Sequence, residues 1–167
     1  MSNVQRSIVP AVLVLALLAP RAAIADDKPF TIGSQPVWVL LAGLTTGGTI
    51  AIENRGAHVG GELSLARLRD ANWFGFYADG YYDWGVHGTY VTAGVEAGHK
   101  WLGIDGGGAL RIVSGAVEKG VTGRLTLGLG FLGIYGRYAY FFDTMTSEHV
   151  VQIGLLLKLP VLSFGGK

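Results

Sequence analysis

The sequence predicts an all-β chain, an eight-stranded antiparallel up-and-down transmembrane β-barrel, and three observations carry that expectation. From residue 37 onward, bulky apolar residues alternate with small or polar ones at a period of two, as in strands whose side chains point alternately to opposite faces. No segment sustains a helical period, and no helix is needed to join the strands. The bulky set is also too large to sit inside. Four or five Leu, Ile, Val, Phe, Tyr or Trp per strand would overfill an eight-stranded interior, which is only just wide enough to be filled by side chains. The other set is Gly, Ala, Ser and Thr with one or two charges per strand, which suits a narrow lumen. Apolar residues are therefore expected outside, against lipid.

Composition agrees with this reading. The chain of 167 residues has room for one domain, is 50% hydrophobic and only 15% charged, and has 27 Gly and no Cys, against about 25% charged residues in typical soluble domains. A net charge of +1 gives no electrostatic case for nucleic acid. Without Cys, neither a disulfide framework nor a lipid-modified cysteine is open to an exported chain.

Residues 1–25 read as a signal peptide: Arg6, then the apolar run IVPAVLVLALL at residues 8–18, then Ala23-Ile24-Ala25 as a cleavage site. The rival reading, a membrane anchor, needs roughly 18 apolar residues, and Arg21 ends the run early. Residues 26–35 form a short periplasmic lead, residues 36–164 the outer-membrane β-barrel and residues 165–167 a tail.

The strands come in order along the chain. Residues 37–45 (VWVLLAGLT) are apolar on both faces, so their phase is open, and residues 46–56 read as a loop into which TIAIE could extend the strands. In residues 58–68, Val59, Leu63 and Leu65 oppose Gly60, Glu62, Ser64 and Ala66. Arg69-Asp70-Ala71 makes a tight turn. In residues 72–84, Phe74, Phe76, Tyr82 and Trp84 oppose Tyr77, Asp79, Tyr81 and Asp83. Residues 89–98 set Val91 and Val95 against Thr92 and Glu96. Residues 102–113 set Leu102, Ile104, Leu110 and Ile112 against Asp105 and Arg111. Residues 114–120 read as a loop. Residues 121–142 (VTGRLTLGLGFLGIYGRYAYFF) flip phase near Phe131-Leu132, so a hairpin there puts both bulky sets on one face and Arg124 and Arg137 on the other. Residues 148–158 close the barrel, with Val151, Ile153, Leu155 and Leu157 against Gln152, Gly154 and Lys158, and Pro160 interrupts this last strand.

Aromatic residues gather at strand ends, as girdles do at two membrane interfaces. Trp73, Phe74, Trp101, Phe131 and Phe164 fall at the periplasmic end, and Tyr82, Trp84, Tyr90, Tyr140 and Phe142 at the other. With the signal peptide, eight alternating strands, short periplasmic turns and longer outer loops, residues 37–164 resemble in architecture the small eight-stranded outer-membrane proteins, the OmpA transmembrane domain and OmpX type. No sequence motif is shared. The resemblance implies a Gram-negative outer membrane, with the lipid bilayer, lipopolysaccharide and the outer-membrane assembly machinery as partners. Such proteins usually end on an aromatic residue which that machinery reads; this chain ends Phe164-Gly165-Gly166-Lys167, so Phe164 is the candidate.

The lumen side carries a candidate charge network: Glu62, Asp79, Glu96 and Asp105 against Arg111, Arg124 and Arg137. Strand direction puts Arg124 in the outer half of the barrel and Arg137 near or just above the middle, best placed to bridge to Glu62 or Asp79. Buried charges must pair or stay wet, so the network reads as a salt-bridge plug, giving a structural or membrane-anchored protein. The alternative is a narrow, porin-like pore or small-ligand barrel, for which the lumen glycines (Gly60, Gly94, Gly98, Gly103, Gly107, Gly128, Gly154) leave room. A lipid-A-modifying enzyme and a surface adhesin are weaker readings. The deacylase His-x-Ser-Asn signature fails at His58, His87, His99 and His149, and adjacent residues in Ser147-Glu148-His149 cannot converge from one strand. No two His stand at ligand spacing, and Asp79 and Asp83 read as lumen or rim polarity. The sequence thus indicates no catalytic residue, no metal site and no cofactor.

Overall fold

The computed structural model describes residues 36–51, 55–129, 131–142 and 148–165; the expected signal peptide and lead lie outside these residues. Eight strands succeed one another: β1 (Val37–Ala51), β2 (Arg55–Arg69), β3 (Asn72–Asp83), β4 (Gly88–His99), β5 (Leu102–Val113), β6 (Ala116–Leu129), β7 (Leu132–Phe141) and β8 (Glu148–Phe164). Each pairs antiparallel with the next, and β8 pairs with β1 to close the barrel. Closure satisfies the backbone hydrogen bonds of every strand and leaves no open edge.

The stagger can be traced residue by residue. From Val39 the register partners run Ala66, Gly75, Glu96, Asp105, Arg124, Arg137 and Gln152, and return to β1 at Thr49, ten residues further along. A stagger of that size in eight strands corresponds to a tilt of about 40°. It also makes each row of lumen side chains a spiral, so neighbours in register on successive strands climb the wall together.

Several connections are tighter than the sequence suggests. The loop expected at 46–56 is mostly strand, since β1 runs to Ala51 and β2 begins at Arg55. The loop expected at 114–120 is a two-residue turn, with Ser114 at φ 50° and Gly115 at φ 85°. Positive φ at both positions defines a type I′ hairpin, whose twist matches that of its strands. At the other end of β6, Leu129 pairs with Leu132, so β7 begins directly after the turn that the phase flip places there.

The last strand departs most. Pro160 does not end β8, which continues to Phe164. Leu41 faces Pro160 while Leu40 faces Leu162, so Val161 is an extra residue in a bulge. A bulge is where a strand tolerates a proline, and here it reverses the alternation. Phe164 has the even number of the lumen-facing residues Gln152 and Leu156, yet it is exposed on the outside opposite Trp38.

Across the barrel the large apolar side chains lie outside: Ile104, Ile153 and Ile134 are 62%, 60% and 59% exposed. The lumen phase holds the charges, with Glu62 at 3% and Arg124 and Arg137 at 2%. In β1, whose phase the sequence leaves open, the odd-numbered Val39, Thr45, Thr49 and Ala51 face inward.

Candidate functional site: the lumen charge network

All seven charges singled out in the sequence are buried in the lumen. The acids stand on β2 to β5 and the bases mainly on β6 to β8. Three bases reach four strands round the barrel, directly across it. Arg124 on β6 donates through Nη1 to Glu62 on β2 and through Nε to Asp105 on β5 at 2.5 Å, with Asp79 3.8 Å away. Arg137 on β7 donates to Asp79 on β3, which also accepts the Thr92 hydroxyl at 2.6 Å. Lys158 on β8 lies 2.7 Å from Glu96 on β4 and 2.5 Å from Glu62. The sequence reading omits Lys158 from the network, although its phase is that of Gln152.

Arg124 does not lie in the outer half of the barrel. It is the register partner of Arg137 and stands five residues from the end of β6, past the midpoint of that strand. Two like charges opposite each other are destabilising on a sheet, and here Glu62, Asp79 and Asp105 converge on the pair. Arg137 reaches Asp79 as the sequence suggests. Its Nε and Nη1 have no hydrogen-bond partner among the described residues, but its guanidinium lies over Tyr81 at 5.0 Å and Tyr135 at 5.7 Å.

Arg111 belongs to a second cluster, at the mouth away from Val37 and Phe164. It bonds to Glu118 and Glu148, the latter at 2.5 Å, and lies 4.7 Å over the Phe141 ring. Below it Tyr81 stacks on Tyr90 (4.7 Å, 9°), and Tyr90 meets Phe141 edge-on at 5.7 Å. With Ala51, Ala109, Ala139 and Val150 these form a buried apolar layer inside the barrel. His58 adjoins it, bonded to Tyr135 and to Thr49 (3.0 Å) and fully buried.

The girdle reading needs two corrections. Tyr90 shares the phase of Thr92 and Glu96 and is wholly buried in the lumen. Trp73 stands next to Asn72 at the base of β3, but its phase is that of Tyr77 and Asp79, so it turns inward while Phe74 faces out. The other candidates are outward: Phe74, Trp84, Trp101, Phe131 and Phe142 are exposed, and Tyr82 and Tyr140 are partly so. Trp38 joins them, edge-on to Phe74 at 6.0 Å.

Several of the glycines expected to leave room are overlaid by aromatic rings. A Cβ on Gly103 would meet only the Trp73 ring at close range, at 2.8 Å, and one on Gly98 would meet it closer still. A Cβ on Gly154 would lie 3.0 Å from the Tyr135 ring as well as against the β1 backbone, whereas Gly60 is closed by the backbone of the neighbouring β3 at Gly80 and Tyr81. Gly98, Gly103 and Gly154 thus seat large rings, while Gly94 and Gly107 lie against each other's backbone.

His99 bonds to Asn72 at 2.8 Å and His149 to Tyr138 at 2.6 Å, both exposed, while Glu148 turns inward to Arg111. Ser147 lies outside the described residues. Among those residues, no three His, Cys, Asp or Glu gather as a metal site.

No protein-family model matches the chain, and no curated protein matches it. Among solved structures it is similar to Neisserial surface protein A (NspA), with 10% identity and a TM-score of 0.35, over 75% of this chain and 99% of that one. The barrel is established by its own closed register.

Proposed function

We propose that this chain is an integral outer-membrane β-barrel whose lumen is closed, a membrane-embedded structural or anchoring protein and not a conducting pore. The observation that carries this reading is the pairing of buried bases and acids straight across the lumen, beneath an aromatic layer. Such pairs contribute little net stability over an apolar core, but breaking one leaves an uncompensated buried charge. Opening a water path means parting several pairs together. The outer face supports the membrane half of the proposal. Its large aliphatic side chains are exposed all round the barrel, far beyond the scattered apolar residues of a soluble surface. The lipid leaflets, lipopolysaccharide among them, are then the first partners of this surface, and Phe164, turned outward by the bulge, is the residue offered to the assembly machinery.

Fractionation of expressing cells tests the membrane half. The protein should pellet with outer membranes and resist extraction by salt and alkali. Recovery in the soluble periplasmic fraction without detergent would overturn it.

A further inference from the structure

The mouth formed by the start of β1 and the end of β8 carries a second feature, at the rim between the lumen and the outer wall. A groove at the β2–β3 hairpin is lined by Arg67, Arg69, Asp70 and Phe74 and, on its lumen side, by Trp73 and Gly98. Arg67 and Arg69 share the outward phase of β2, and Arg67 is the register partner of both Trp38 and Phe74. Arg67 thus stands between two girdle aromatics, at the level where lipid headgroups begin in a membrane-embedded barrel. Arg69 and Asp70 are both well exposed and only loosely paired, at 4.0 Å, a separation at which a surface ion pair contributes little. Asp70 occupies the turn itself, at φ 52°.

We infer that this groove binds the headgroup of an ethanolamine phospholipid. Two guanidiniums match a phosphodiester, which arginine engages through paired N–H donors. One carboxylate beside them matches a primary ammonium. The acyl chains leave the groove along Phe74 and Trp38, already on the lipid face. Phosphatidylglycerol satisfies the arginines but leaves Asp70 opposite a neutral headgroup. Phosphatidylcholine presents a cation with no N–H to donate. The inference rests on the proposal that the barrel sits in a membrane.

The test uses the refolded full barrel in nanodiscs made from equal parts of phosphatidylethanolamine, phosphatidylglycerol and phosphatidylcholine, with retained lipid read by native mass spectrometry. The ethanolamine lipid should be enriched about tenfold over phosphatidylcholine, the equivalent of one charge-assisted hydrogen bond. D70N should remove that preference while leaving phosphatidylglycerol retained, and R67Q with R69Q should reduce both. Equal retention of the three lipids, or enrichment unchanged in the variants, overturns the inference. So does soluble phosphoethanolamine competing as strongly as the lipid, which would move the ligand off the membrane. A barrel that never enters nanodiscs counts against the membrane proposal itself, whereas one that enters and shows no selection counts against this site alone.

Discussion

Arg124 and Arg137 show how differently two similar residues can be held. Arg124 holds Glu62 and Asp105 and lies near Asp79. Removing it strands Asp105 and takes from Glu62 one of its two cationic partners, Lys158 remaining, so Arg124→Ala is expected to cost about 3–5 kcal/mol. Arg137 holds Asp79 alone, and Asp79 keeps the Thr92 hydroxyl and the nearby Arg124. Arg137→Ala is therefore expected to cost less, about 1–3 kcal/mol. Urea unfolding of both variants in lipid vesicles checks the order, and equal losses would contradict the pairing. Trp73 gives a second residue-scale expectation. Gly103→Ala forces a Cβ against its ring and should cost about 1–3 kcal/mol as overpacking, but nearly nothing in a Trp73→Ala background. A cost undiminished in that background would mean that the ring does not occupy the glycine's space. The lumen phase of Arg124, Glu62 and their partners was legible from alternation alone. Their heights were not, because height depends on the stagger, which no single strand encodes. Tyr90 and Trp73 could have been placed by the same alternation; position at a strand end was the misleading signal.

At the scale of elements, the alternating pattern located all eight strands but not their ends. β1 continues into the Gly- and Thr-rich stretch Thr45 to Ala51, and β2 and β6 start earlier, at Arg55 and Ala116, because ladder bonds to a neighbouring strand outweigh weak local strand propensity. The β8 bulge was illegible for a related reason: Pro160 announces an irregularity, but only the pairing with Leu40 and Leu41 shows that the chain resumes with its faces exchanged. Deleting Val161 removes the extra residue and should turn Phe164 toward the lumen. Refolding yield, read from the mobility shift of the folded barrel in unheated gels, is expected to fall several-fold. Undiminished refolding, with a Phe164→Cys probe still reacting only with lipid-soluble reagents, would count against the bulge.

For the whole molecule, three bases fixed to β6, β7 and β8 grip acids on β2, β3 and β4 across the barrel, with Arg111 and the aromatic layer above them. This arrangement couples opposite walls. The sequence suggested the sign of each wall but not that the tyrosines and Phe141 fill the space the glycines leave. The most direct test of the closed lumen is ionic current across a planar bilayer fused with vesicles whose barrels have been verified as folded. The wild-type barrel is expected to hold the bilayer at its baseline current at moderate voltage, with no discrete steps. Regular unitary steps from the pure wild-type protein would contradict the account.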